Sequence, residues 1–243
     1  MRLKTLIDIL MTINLVLLIA FQLTGQIVHE LLGLAMLFLF LIHQVLNLSW
    51  YKRMFKGTYN VRRMVNTLLN VSLLLIIGIL IISGICMSHI FSKYLPIEIS
   101  FSVMRKLHLL LCYWLFLLIG LHIGMHWNVF QRLLNKMNKK CRWNLPMNLR
   151  NYFTTKKIGM FIGVIVSIYG IYVFISLKIY LYMFMLSEFM YFDYSKNKFL
   201  VILDILSMLT IVVFCGQILD EKLKTTEKRR KTNRRKSFRG RDN

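Results

Sequence analysis

The chain has 243 residues, 57% of them hydrophobic, a mean hydropathy of +0.58 and a formal charge of +22. A soluble domain of this length hides one core under a polar shell, whereas here apolar runs of about twenty residues recur along the chain. Lipid is therefore the solvent for most of the molecule, and a soluble enzyme or nucleic-acid-binding domain is excluded. Continuous apolar runs without polar alternation select a helix bundle over a closed barrel, so the expected fold class is an all-α membrane protein.

Six spans are predicted, at residues 5–24, 28–50, 65–88, 102–127, 158–181 and 199–219. The first follows a small basic start and could be a signal peptide. It has no small-residue cleavage site near Thr24 and runs straight into the next span, so it is read as retained. The loop after the second span holds Lys52, Arg53, Lys56, Arg62 and Arg63. The loop at 131–157 holds Arg132, Lys136, Lys139, Lys140, Arg142, Arg150, Lys156 and Lys157. The tail at 221–243 is strongly basic, and a partly disordered segment lying on anionic lipid is expected there, with docking of RNA or an acidic partner as the alternative. The remaining loops are short and carry Glu30, Glu98, Glu188 and Asp193. Basic residues stay with the cytoplasm, so both termini are placed there.

Cys86, Cys112, Cys141 and Cys215 form no C-x-x-C pair, which argues against a zinc site, a redox dithiol and covalent c-type haem. Three of them fall in spans and Cys141 in a cytoplasmic loop, so no structural disulfide is expected.

The histidines carry the chemistry. His29 and His43 lie fourteen residues apart on the second span, and His108 and His122 lie fourteen apart on the fourth. Fourteen residues of α-helix return to within about 40° of the starting face and advance about 21 Å. Each helix thus presents two imidazoles to one side, one near each membrane surface. Both spans run from outside to inside, so His29 can face His108 near the outer surface and His43 can face His122 near the inner one. A small metal ion would want three or four ligands per level, whereas two suit a haem that brings its own four nitrogens. His126, one turn beyond His122, could replace it as ligand, hydrogen-bond a propionate, or line a quinone or proton site. Arg105 and Lys106 precede His108 and could pair with haem propionates or anchor the helix at the interface. Gly33, Gly78, Gly84, Gly120 and Gly124 could admit a flat macrocycle or serve close helix packing. His89 is read as interfacial. Asp8 is read as a cap or interfacial hydrogen-bonding residue, with quinone chemistry or proton uptake as the alternative. Asp204 is assigned no role.

Paired histidines at this spacing resemble the haem-binding core of cytochrome b in quinol-oxidising respiratory complexes. The segments Ile7-Asp8-Ile9-Leu10-Met11-Thr12, Gln22-Leu23-Thr24-Gly25, Trp50-Tyr51-Lys52 and Leu121-His122-Ile123-Gly124-Met125-His126-Trp127 resemble the flavinylation-associated cytochromes, a bacterial family, over about the first 130 residues. The Glu188-Phe189-Met190-Tyr191-Phe192-Asp193 stretch looks like that of longer members. The resemblance implies transmembrane electron transfer to or from an extracytosolic partner carrying covalent FMN. No flavin attachment motif is apparent in this chain, so that flavin would belong to the partner. The expected organisation is a four-helix di-haem domain at 1–130, the basic loop at 131–157, two further spans at 158–220 and the tail at 221–243. The expected function is electron transfer through two bis-histidine b haems, from a quinol or cytoplasmic donor toward the flavinylated partner. No substrate-transforming site is assigned. The alternatives are a haem-free membrane scaffold or transporter, and a self-contained ferric or quinone reductase.

Overall fold

A computed structural model of the protein describes residues 3–91, 100–129, 131, 156–187 and 192–239. The elements it describes are all helical: α1 (Leu3–Ile19), α2 (Phe21–Leu46), α3 (Leu48–Met54), α4 (Val61–Met87), α5 (Phe101–Met125), α6 (Lys156–Ser176), α7 (Ile179–Met183) and α8 (Lys198–Arg239). Residues Phe21–Leu46, Val61–Met87, Phe101–Met125 and Lys198–Arg230 each form a helix long and apolar enough to cross a bilayer. Leu31, Phe38, Leu41 and Val45 of α2 and Leu68, Leu75 and Ile82 of α4 are exposed, as side chains that face lipid are. The chain is a multi-pass membrane protein.

α1 and α2 form an antiparallel hairpin. Its turn needs Gly25, whose φ of 69° and ψ of 178° interrupt the helix that follows Ala20. That conformation is open to glycine and sterically closed to residues with a Cβ. Asn14 Nδ2 donates to the Leu32 carbonyl across the hairpin at 3.0 Å. α2 ends at Leu46, four residues short of the expected boundary, and the short α3 follows. α4 starts earlier than expected, because Asn60 caps it by accepting the Arg63 backbone N–H at 2.8 Å. The expected fifth span is divided: α6 ends at Ser176, Lys178 takes a left-handed conformation (φ 49°), and α7 follows.

α8 departs most from expectation. It continues past residue 219 as one helix to Arg239, through the tail expected to be partly disordered. Residues 220–239 contain neither glycine nor proline and are rich in Lys, Arg and Glu, which favour helix. Lys224 pairs with Asp220 one turn away.

α5 packs along α4 on one side and α8 on the other, and α6 packs on α8. The α5–α8 crossing is close because its contact residues are small. A Cβ at Gly124 would stand 2.2 Å from the Val213 carbonyl oxygen, and one at Gly216 would stand 2.6 Å from that of Leu121. Gly120 faces Val212 in the same seam. Of the two roles considered for Gly120 and Gly124, helix packing is the one observed. Leu15, Val16, Tyr113, Phe116, Val173, Ile205 and Met208 belong to the main core, which joins α1 and α5 to the C-terminal helices. The last helices therefore brace α5, which bears His108 and His122. Asp204, only 2% exposed, secures this region by accepting from Tyr169 Oη at 2.7 Å and from Lys196 Nζ.

Candidate functional site

α2 packs along α1 and meets α4 at few positions, while α5 belongs to the α4–α5–α8 layer. The helix bearing His29 and His43 thus stands off the helix bearing His108 and His122, and histidine rings extend into the space between them.

At the level expected to lie outward, termed outer in contrast to the inner level of His43 and His122, His29 and His108 face one another, with ring centroids 6.4 Å apart and ring planes inclined by 71°. Two metal–imidazole bonds of about 2 Å each, together with the half-widths of two rings, separate such centroids by about 6 Å. Ser83, fully buried on α4, lies 2.9 Å through Oγ from His108 Nδ1 and donates its own hydroxyl proton to the Leu80 carbonyl at 3.0 Å. The serine oxygen therefore accepts from Nδ1–H, which leaves Nε2 of His108 with its lone pair. Gly84 lies beside this ring, where a Cβ would make an ordinary van der Waals contact with His108 Cε1 at 3.6 Å. His29 Nδ1 is buried without a hydrogen-bond partner. Phe21 lies edge-on to the His29 ring at 5.1 Å and stacks on Phe192 at 5.6 Å. Phe192 lies in the segment between α7 and α8, so the C-terminal part of the chain helps enclose the outer histidines. Residues 188–191 of the stretch singled out in the sequence lie outside the described residues.

The inner level is built differently. His43 Nδ1 is 2.9 Å from Asp8 Oδ1 on α1. Asn47 Nδ2 donates to the His43 carbonyl at 2.9 Å and stands 3.4 Å from His43 Nε2. A carboxylate at Nδ1 and an amide N–H near Nε2 select the Nδ1–H tautomer. His122 makes no ring contact with His43; its ring lies 4.7 Å from that of His126. His122 Nδ1 is buried without a partner, as are Asn66 Oδ1 and Asn70 Oδ1. His126 directly follows the last residue of α5 and is exposed.

The chain has no match among family models, curated proteins or solved structures.

Among the described residues no group of three or more His, Cys, Asp or Glu side chains could hold a metal ion by itself. The outer residues fit a haem in their ring spacing, the tautomer of His108 and the unpaired Nδ1 of His29. At the inner level His43 and His122 supply compatible donors, but their rings are not brought together. Arg105 lies over the Phe101 ring, its guanidinium carbon 4.9 Å from the centroid, at the outer end of α5. His89 is exposed, and its backbone N–H donates to Glu30.

The sequence reading passed over two site residues, Ser83 and Glu30. Glu30 accepts from Gln26 Nε2 at 2.8 Å, Ser88 Oγ at 2.7 Å and the His89 and Ile90 amides at 3.2 and 3.4 Å. It ties the outer start of α2 to the outer end of α4. Matching depths from the outer ends of α4 and α5 would have put Ser83 level with His108. At the inner end the sequence also gave no notice that Arg62 pairs with Asp220 at 2.6 Å, where Asp220 is 3% exposed.

Proposed function

We propose that this protein carries electrons across a bacterial inner membrane through two b haems, one held by His29 and His108 near the outer surface and one by His43 and His122 near the inner. The facing pair His29 and His108, with Ser83 on the Nδ1 of one ring, supports this reading most strongly. A bound haem supplies reversible one-electron chemistry at its iron. The chain's own part is to place imidazole donors, exclude water with Phe21 and the apolar faces of α2, α4 and α5, and fix ring tautomers through Ser83 and Asp8.

The proposed topology has six spans with both termini in the cytoplasm, α1 and the α6–α7 segment completing the count. Basic residues at the ends of α3 and along the last turns of α8 agree with it. In this topology the donor, a quinol or a cytoplasmic reductant, meets the His43 end, and an extracytosolic FMN-bearing partner meets the His29 end. The basic end of α8 lies against anionic lipid. Purification in detergent after expression with ample haem, followed by a reduced-minus-oxidised visible spectrum and a haem-to-protein ratio, tests the proposal. Two b haems per chain are expected. Absence of a b-type signal would leave the protein as a haem-free scaffold or transporter.

A further inference from the structure

A cavity of about 200 Å³ lies between α1, α5, α6, α7 and α8. Its walls include Ile19 of α1, Phe116 and Leu117 of α5, Phe174 of α6, Met183 of α7 and Met208 of α8, and every residue that lines it is apolar or aromatic. Leu117 follows His108 by two and a half turns of helix at about 100° per residue, so the cavity lies on the side of α5 turned away from His108. Phe116 and Leu117 stand between His108 and His122, near the middle of the membrane-crossing helix Phe101–Met125. The cavity is therefore at mid-depth in the bilayer and apart from both histidine levels.

Walls of this kind fit a hydrocarbon chain. An apolar cavity of about 150 Å³ stays dry and takes benzene, so this one has room for roughly eight carbons. Left empty, it forfeits the dispersion contacts of its lining. Its α6 wall borders lipid, since Ile171 of the lining is exposed, as are Ile168 and Ile175 on the same stripe of that helix. A chain from the surrounding bilayer can enter from that side. Lys178 stands at the rim. It adjoins Ile179 of the lining, is exposed, and separates α6 from α7 in a left-handed conformation (φ 49°). Among the described residues no carboxylate pairs with its ammonium. A lysine stem lies along apolar surface while its head seeks the polar edge of the bilayer.

We propose that this cavity holds one acyl chain of a phospholipid, with Lys178 at the lipid's phosphate. The apolar walls would accept any flexible hydrocarbon, and the positive charge at the rim selects a phospholipid over a neutral isoprenoid. The bound chain completes the packing between α5 and the C-terminal helices. The proposal is independent of the haem reading, because it needs only the membrane-spanning fold and residues on the far side of α5.

Photolabelling tests it. The full chain is reconstituted in phosphatidylcholine vesicles containing a trace of phosphatidylglycerol with a photoactivatable diazirine in its acyl chain, and labelled residues are mapped by peptide mass spectrometry. Label is expected on Leu117, Met183 and Met208, above that on the buried Leu69 and Leu73 of α4, which belong to a separate core cluster. The exposed Leu75 and Ile82 of α4 report contact with bulk lipid. Leu117→Trp should remove most of the label from the lining and leave that on Leu75 and Ile82 as in wild type. Should that variant fail to fold, Ile171→Trp at the lipid-facing edge decides by the same readout. Lys178→Gln should lower the lining label about fivefold, the effect of one lysine at an anionic lipid surface. Lining label no higher than that on Leu69 and Leu73 overturns the proposal, as does lining label that the tryptophan leaves in place. Displacement by excess long-tailed isoprenoid quinone, but not by excess unlabelled phosphatidylglycerol, overturns it in favour of an isoprenoid tail. Label unchanged in Lys178→Gln overturns the assignment of the phosphate to Lys178.

Discussion

The outer and inner histidine levels use the same residues at the same spacing, yet they are assembled differently. At the outer level two rings from separate helices face each other at 6.4 Å, one anchored by Ser83. At the inner level His43 is anchored by Asp8, while His122 lies against its own helix neighbour His126 at 4.7 Å. Each level has one ring with an engaged Nδ1 and one ring, His29 or His122, whose Nδ1 is buried and unpartnered. Equal spacing along a helix therefore does not produce equal sites. Surroundings decide: α4 and the Phe21–Phe192 stack enclose the outer pair, whereas the inner pair lies where α5 ends and polar side chains meet the surface.

The largest expected effect comes from removing an outer ligand. His108→Ala should abolish the outer haem and take away about half of the b-type absorbance per chain, leaving the inner haem spectrum. Retention of two haems by that variant would break the pairing of His29 with His108. Next comes the choice at the inner level. His122→Ala should lose the inner haem, while His126→Ala should keep it. The reverse result, read from the same haem-to-protein ratio, would move the inner ligand by one turn to the exposed ring.

Ser83→Ala should act through orientation, not ligation. Loss of a supporting hydrogen bond of this kind weakens metal binding about 10- to 100-fold, so haem retention on dilution should fall at the outer level only. An equal loss from both levels would mean that Ser83 supports the bundle, not His108. The smallest expected effect belongs to Glu30→Gln. It weakens a charge-assisted cluster at the outer join of α2 and α4, and should lower stability by about 1 kcal/mol, measured by thermal unfolding in detergent. The inner haem spectrum should be unchanged in that variant. A larger change at the inner than at the outer level would contradict the placement of Glu30 at the outer end.

The sequence by itself determined what depends on neighbours along the chain. Apolar runs demand lipid and demand helix, because a bilayer leaves backbone groups no partner other than one another. A fourteen-residue spacing places two histidines on one face wherever the helix is regular. Tertiary structure decided whatever depends on register between helices. The antiparallel seating of α4 on α5 brings Ser83 to His108, and that of α1 on α2 brings Asp8 to His43. Gly120 and Gly124 were open to a macrocycle but, taken singly, read first as packing glycines, and the backbone of α8 occupies the space beside them. The helical tail to Arg239 lies between these cases, with propensity legible in its composition and its inner end held by Asp220 pairing with Arg62 of α4. Periodicity fixes which way a side chain points from its own helix axis. The partner it meets depends on how far two helices slide past each other, and that offset follows from packing across the whole interface.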